Sequence, residues 1–224
     1  MVEIIEDYLL RNQIHVFVDR TNAGEILATH LSKYENKKDA IILAIPAGGV
    51  PVAIQISKKL EINWDLILTR KLHIPWNKEA GFGAISWEGT TILNKPLVES
   101  LGLTLEEINS VVEKEKRIIH NRLRKFRGNK PFPNLNNKIV IVVDDGLASG
   151  FSMLVTVKAL KQKVRKIVVA IPTAPVSAIK LVSSFADEIV CPNIRSGSFF
   201  AVAEAYKVWF DLTDNDVLEL LKGE

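Results

Sequence analysis

A single cysteine, Cys191, serves all 224 residues. It excludes an internal disulfide, lacks any CxxC or CxxH spacing for zinc, and fits a reducing compartment. Also missing is any run of 18 or more apolar residues, so no segment reads as a membrane span. The first residues, MVEIIEDYLLRNQ, carry acids where a secretory leader needs a basic region and an apolar core. The expectation is a cytoplasmic protein with no membrane partner. Charge of one sign is scarce: the net charge is +3, and the densest run, EKEKR at 113–117, is mixed. That describes a solvated helix face, and no nucleic-acid partner is expected. No Pro-, Gly- or Ser-rich linker divides the chain, which reads as one globular domain over 1–224. Neither usual nucleotide motif is present, since no G-x-G-x-x-G follows a strand and no G-x-x-x-x-G-K-[ST] occurs.

What is present is an alternation. Short β-rich apolar runs, AIILAIP (40–46), WDLILTR (64–70), KIVIVVDD (138–145), KIVVAIP (166–172) and DEIVCP (187–192), alternate with helical segments such as VPVAIQISKKL, SMLVTVKALKQK and PVSAIKLVSSF. Nearly continuous apolar strands between helices predict an α/β fold, an open and mainly parallel twisted sheet flanked by helices. A longer helix, TLEEINSVVEKEKRIIHNRLRKF, opens with the capping box Thr104-x-x-Glu107. Leu105, Ile108, Val112, Ile119, Leu123 and Phe126 share one of its faces, which is expected to pack on the sheet or on a partner subunit. Residues 72–92, rich in Gly and Trp without helical period, read as a mobile loop leading into a small hairpin. His15, His30 and His120 are scattered without metal-ligand spacing and receive no function.

Ligands of an open parallel sheet sit beyond the carboxyl ends of its strands. There the chain places VDDGLASGFSM, residues 143–153. Its glycines allow successive amides to turn inward, and its last residues open a helix, so amides and helix end together favour an anion such as a phosphate. Ser149 and Ser152 add hydroxyl donors. Asp144 and Asp145 are too negative to touch that phosphate and are suited to accept from the two hydroxyls of a ribose. Asp-Gly is also a common turn dipeptide, and Asp or Ser before a helix an ordinary cap, so the stretch alone supports both readings.

VVDDGLASGFSM resembles the 5-phosphoribosyl 1-pyrophosphate (PRPP) motif of the type I phosphoribosyltransferases. AIPAGGVPVA at 44–53, TRKL at 69–72 and FFAVAEAYKVWFDLTD at 199–214 are similar, in order and spacing, to a subgroup of predicted phosphoribosyltransferases whose substrate is unassigned. The resemblance covers roughly residues 17 to 215 and implies the type I fold with a small hood, here from 1–16 and 192–224. It implies that Asp144 and Asp145 hold the ribosyl hydroxyls and, directly or through water, Mg2+. Gly146, Leu147, Ala148, Ser149, Gly150, Phe151 and Ser152 then wrap the 5-phosphate. Ala47, Gly48 and Gly49 form a tight, often cis, pyrophosphate loop, where close backbone approach leaves no room for a Cβ. Arg70 and Lys71 face the pyrophosphate, with Lys71 counted among the catalytic residues beside the two aspartates.

The implied reaction transfers the phosphoribosyl group from PRPP to a nitrogenous small-molecule acceptor with release of pyrophosphate, and the expected assembly is a homodimer. Two departures qualify it. Ala47 stands where the subgroup usually has Arg, which removes one charge-assisted contact of about 1.5 to 3 kcal/mol. Ala148 stands where members acting on 6-oxopurines usually carry an acid, which argues against a 6-oxopurine acceptor. The loop at 72–92 is expected to close over the site, with His73, Trp76, Lys78 and Glu79 as contact candidates. In the hood, Phe199 or Phe200 would stack on a planar acceptor and Arg195 would meet an acidic substituent. The alternative is a non-catalytic regulator that senses PRPP or a nucleotide on the same fold.

Overall fold

The computed structural model describes residues 2–197 and 199–223, and the side chains of Lys78 and Glu79 lie outside the described residues. In chain order the elements are β1 (Glu3–Ile5), α1 (Arg20–His30), β2 (Ala40–Ala44), α2 (Gly49–Leu60) and β3 (Trp64–Leu66), then β4 (Thr69–Ile74), β5 (Asn77–Ser86) and β6 (Thr91–Leu93). There follow α3 (Lys95–Leu101), α4 (Leu105–Arg127), β7 (Ile139–Val143), α5 (Phe151–Leu160), β8 (Lys166–Ala170), β9 (Thr173–Pro175), α6 (Val176–Ser183), β10 (Glu188–Val190), β11 (Asn193–Arg195) and α7 (Asp214–Lys222).

Six strands form a parallel sheet in the order β1-β10-β8-β7-β2-β3. Alternate strand residues enter two separate cores. Ile42, Ile141, Val143 and Val168 pack with α1 and α2 residues such as Leu27, Ala53 and Ile56. Leu43, Val140, Val142 and Val169 pack with Met153 and Val157 of α5 and Ile179 and Val182 of α6. Both faces are therefore covered, which is why the strands read as continuous apolar runs rather than alternating ones. From β2 the chain adds β3 on one side, and from β7 it adds β8 and β10 on the other. The carboxyl ends of β2 and β7 therefore flank the crevice where such sheets bind ligands.

The segment 72–92 is not a loop. WDLILTR breaks after Leu66, and β4, β5 and β6 form a second, antiparallel sheet. Its glycines serve close approach rather than mobility: a Cβ on Gly83 would lie 2.2 Å from the carbonyl oxygen of Ile92, and one on Gly81 2.4 Å from Cγ of Lys71. Helix α4 keeps its Thr104–Glu107 capping box and packs on this sheet, with Ile108 and Ile119 buried but Leu105 exposed.

Parts of the segments expected to supply a hood, 1–16 and 192–224, belong to the main body. Residues 3–5 form the edge strand of the main sheet, and α7 packs Val217 into the core beside α2 and α4. Between these ends, His15 and Phe17 donate their amides to the carbonyls of Glu204 (2.7 Å) and Ala205 (2.9 Å), and the Phe17, Tyr206 and Trp209 rings pack in series.

A polar cluster around Glu188 lies inside the fold. The fully buried Glu188 accepts from Tyr34 Oη at 2.6 Å and from Lys166 Nζ at 2.7 Å, with Lys33 Nζ at 3.0 Å. Burial opposes its charge, yet these donors together hold its carboxyl below the ordinary value of 4.5. Its stabilisation is therefore present above that value and lost as pH falls through the lowered one. Tyr34→Phe is expected to cost about 1.5 to 3 kcal/mol in urea unfolding at pH 7, the range for a hydrogen bond to a charged group. An unchanged midpoint would show that Lys33 and Lys166 suffice.

Candidate active site

The loops that follow β2 and β7 meet at this crevice. The amide of Ile45 donates to the carbonyl of Val143 at 2.8 Å, and the Pro46–Ala47 peptide is cis. Gly48 and Gly49 then run against the other loop. A Cβ at Gly49 would sit 2.6 Å from the Val143 carbonyl oxygen, and one at Gly48 would sit 1.9 Å from Oδ2 of Asp145. Only glycine permits this approach.

Beyond β7 lies a cavity of about 390 Å³ lined by Asp144, Gly146 to Met153, Lys71, Gly81, Gly83 and Val202. Gly150, at φ +80°, caps the start of α5 in a left-handed conformation that glycine adopts freely. The amide of Leu147 is taken by the carbonyl of Thr173 at 3.0 Å. Among the described residues the amides of Ala148 to Met153 have no acceptor, which is the donor array and positive helix end that an anion needs. Leu147 lines the cavity as well, but its amide is taken and its side chain packs in the core, so the open donors begin at Ala148.

The two aspartates part company. Asp144 lines the cavity, and its carboxyl is pushed well above the ordinary value by burial and by the neighbouring Asp145. Asp145 is turned toward Arg20, whose Nε donates to its Oδ2 at 2.8 Å, while Tyr206 Oη donates to its backbone carbonyl at 2.6 Å. Burial raises the Asp145 carboxyl, and Arg20 opposes that rise. Sequence reasoning missed Arg20. The local signal was Asp19 capping α1, with nothing to show that the next side chain reaches a residue 125 positions away.

The basic pair also divides, because neighbouring residues of a strand point to opposite faces. Lys71 reaches the cavity, whereas Arg70 pairs with the buried Glu115 of α4 at 2.8 Å and does not line it. His73 approaches the same Glu115, at 3.7 Å, with burial holding its pKa below the ordinary value. Trp76 is exposed at the β4–β5 turn, and the side chains of Lys78 and Glu79 are outside the described residues. Among the residues expected to frame the acceptor, Arg195 approaches Glu204 at 3.3 Å and the Phe200 ring at 5.8 Å, and its Nη1 has no partner among the described residues. Phe199 is 88% exposed and does not line the cavity beside Asp144.

A larger cavity of about 510 Å³ lies between the β5–β6 turn and α4, lined by Trp87, Lys116, Arg117 and His120. It is lined by neither Asp144 nor the open amides, both of which belong to the smaller cavity. Cys191 is buried, which pushes its thiol up and away from reactivity. Ser149→Ala is expected to weaken ribose 5-phosphate by only about 0.5 to 1.5 kcal/mol in a calorimetric titration, since backbone amides make up most of the cradle. A loss beyond a hundredfold would assign the phosphate to the hydroxyl instead.

Residues 18–204 match the phosphoribosyl transferase domain, and the chain belongs to this family. It is 33% identical over 211 residues to the "Putative phosphoribosyl transferase" of Mycobacterium tuberculosis, in strains H37Rv and CDC 1551 alike, covering 92% of this chain. The match takes up 46% of that relative, so the chain spans about half the length of the curated relatives it matches. Among solved structures, the Thermus thermophilus protein TT1426 superposes with a TM-score of 0.73 at 29% identity, covering 92% of this chain and 97% of that one. The architecture is the type I phosphoribosyltransferase fold, with its mainly parallel sheet flanked by helices.

Proposed function

We propose that this chain transfers the 5-phosphoribosyl group from PRPP to a nitrogenous acceptor and releases pyrophosphate. One observation carries the reading: a single cavity combines the open amides of 148–153, at the start of α5, with a carboxylate at Asp144 and an ammonium at Lys71. The amides take the 5-phosphate, Asp144 accepts from the ribosyl hydroxyls, and Lys71 with the loop of Ala47, Gly48 and Gly49 faces the pyrophosphate. As the bond to pyrophosphate lengthens, positive charge gathers on the sugar and negative charge on the leaving group. These groups lie ready for both without reorganising.

Mg2+ suits the site. Its donors are hard carboxylate oxygens, two acids face only one buried guanidinium, and no cluster of three or more ligating side chains occurs among the described residues. That composition matches an ion bound mainly by substrate oxygens and water, with Asp144 or Asp145 as the protein's share. When bound, it would neutralise charge on the pyrophosphate. Ala148 beside the cavity supplies no acid for a 6-oxopurine. Cytoplasmic location and a homodimer complete the reading. Among the described residues no helix is long and apolar enough to cross a membrane, and exposed Tyr8, Leu9, Ile14 and Phe210 offer apolar surface for self-association.

A second reading, a PRPP or nucleotide sensor, is favoured by Ala47, which leaves the pyrophosphate loop without a basic side chain of its own. One assay separates the two. The chain is incubated with PRPP, Mg2+ and a panel of adenine-like, pyrimidine and carboxylated acceptors, and pyrophosphate is measured. Acceptor-dependent release supports the transferase; tight PRPP binding without release supports the sensor; neither would overturn both.

A further inference from the structure

Arg20 occupies a place that its own helix does not explain. It is the first residue of α1, where the positive end of the helix dipole repels a cation, and it is only 7% exposed. Contacts with Asp145 and with Trp209 and Phe210 hold it there. Nε pairs with Asp145 Oδ2 at 2.8 Å, Nη1 donates to the carbonyl of Phe210 at 2.9 Å, and the guanidinium lies 3.9 Å from the centre of the Trp209 ring. A buried ion pair gains little stability over a well-packed apolar pair, so stability alone does not account for this one either.

Its effect on the site is geometric. The oxygen held by Arg20 is the same Oδ2 against which Gly48 is pressed, and Tyr206 fixes the Asp145 backbone from the other side. Asp145 is therefore wedged between the loop after β2 and the strap of residues 206–210, and Asp144 alone is left to the cavity. We propose that Arg20 is a positioning residue: by clamping Asp145 it sets where the loop of residues 46–49 stands relative to the ribose-facing Asp144, and it ties that setting to the Tyr206–Phe210 strap. This role rests on the proposed PRPP site. Arg20 does not line the cavity that holds Asp144 and the open amides of 148–153, so the proposed 5-phosphate contacts do not include it.

Calorimetric titrations of the wild-type chain, Arg20→Met and Arg20→Lys with PRPP, with pyrophosphate and with ribose 5-phosphate, each with Mg2+, test it. Arg20→Met is expected to weaken PRPP and pyrophosphate by about 10- to 100-fold and ribose 5-phosphate by no more than about threefold. Arg20→Lys recovers only part of the loss, because an ammonium cannot serve the carboxylate, the carbonyl and the indole together. In an Asp145→Asn background, Arg20→Met adds less than about twofold, the signature of two residues acting as one unit. Should Arg20→Met unfold, Trp209→Leu removes the indole and keeps the ion pair; it is expected to weaken PRPP by about 3- to 10-fold and spare ribose 5-phosphate.

Equal losses for all three ligands, or effects that add fully to those of Asp145→Asn, would overturn the positioning role, as would unchanged affinities. A wild-type chain that binds none of the three would overturn the proposed function itself, and Arg20 would fall with it. Those two failures are distinct, because the second is read on the wild-type chain alone.

Discussion

Asp144→Asn is expected to lose at least about 100-fold in PRPP affinity, about 2.7 kcal/mol, while the folded protein becomes more stable. The loss follows from two charge-assisted hydrogen bonds to ribosyl hydroxyls becoming ordinary ones or vanishing. The gain follows from the folded chain itself, where burial and the adjacent Asp145 make a charge on Asp144 unfavourable and raise its pKa well above 3.8. A raised carboxyl stabilises the folded protein below the unfolded value, in its protonated form, and that contribution is lost as pH rises through the raised value. The wild-type chain should therefore lose stability relative to Asp144→Asn over that window, and the variant should melt higher at pH 7. Each kcal/mol of relieved strain corresponds to about 2 to 4 °C for a chain of this size. PRPP affinity of the wild type should climb over the same pH window, because the ionised form binds. A variant that melts lower and binds normally would return Asp144 to the role of a structural cap.

The second large effect belongs to Gly150. At φ +80° a side chain is strained whatever the space, and here the space is also short: a Cβ would stand 3.2 Å from Cβ and 3.3 Å from Cα of Ala178 on α6. Gly150→Val combines the left-handed penalty with overpacking by a stiff β-branched side chain, roughly 2 to 5 kcal/mol in all. It should also abolish ribose 5-phosphate binding, because the amides of 148–153 keep their common direction only while this residue holds the start of α5. Urea unfolding gives the first number and calorimetry the second. A Gly150→Val chain that unfolds earlier yet binds ribose 5-phosphate with wild-type affinity would show that the phosphate lies elsewhere.

Asp144 and Gly150 both belong to a loop that is legible in the sequence. Glycines and small polar residues between strand and helix, as in DDGLASG, are a local solution to a local problem. Strand runs such as KIVIVVDD and KIVVAIP, and helices such as TLEEINSVVEKEKRIIHNRLRKF, announce themselves for a similar reason: burial on two faces demands unbroken apolar strands, and a capping box needs only four residues. The β4–β5–β6 sheet is not legible in this way. Its glycines resemble those of a loop, and only the Ile92 carbonyl packed beside Gly83 and the Lys71 side chain beside Gly81 show them to be close contacts. A glycine in sequence carries no record of which neighbour requires it.

The division of like residues is equally hidden. Arg70 and Lys71 are one basic pair in sequence, and Asp144 and Asp145 one acidic pair. In space each pair splits, Lys71 and Asp144 to the cavity, Arg70 to Glu115 and Asp145 to Arg20. The sequence by itself determined the parallel sheet, the helices that cover it and the glycine-containing turn at the end of β7, because these follow from periodicity and turn chemistry over a few neighbouring residues. Only the tertiary structure decided which member of each charged pair lines the cavity. That choice depends on partners 45 and 125 positions away, and the pairing of distant charges leaves no pattern in a single chain read from end to end.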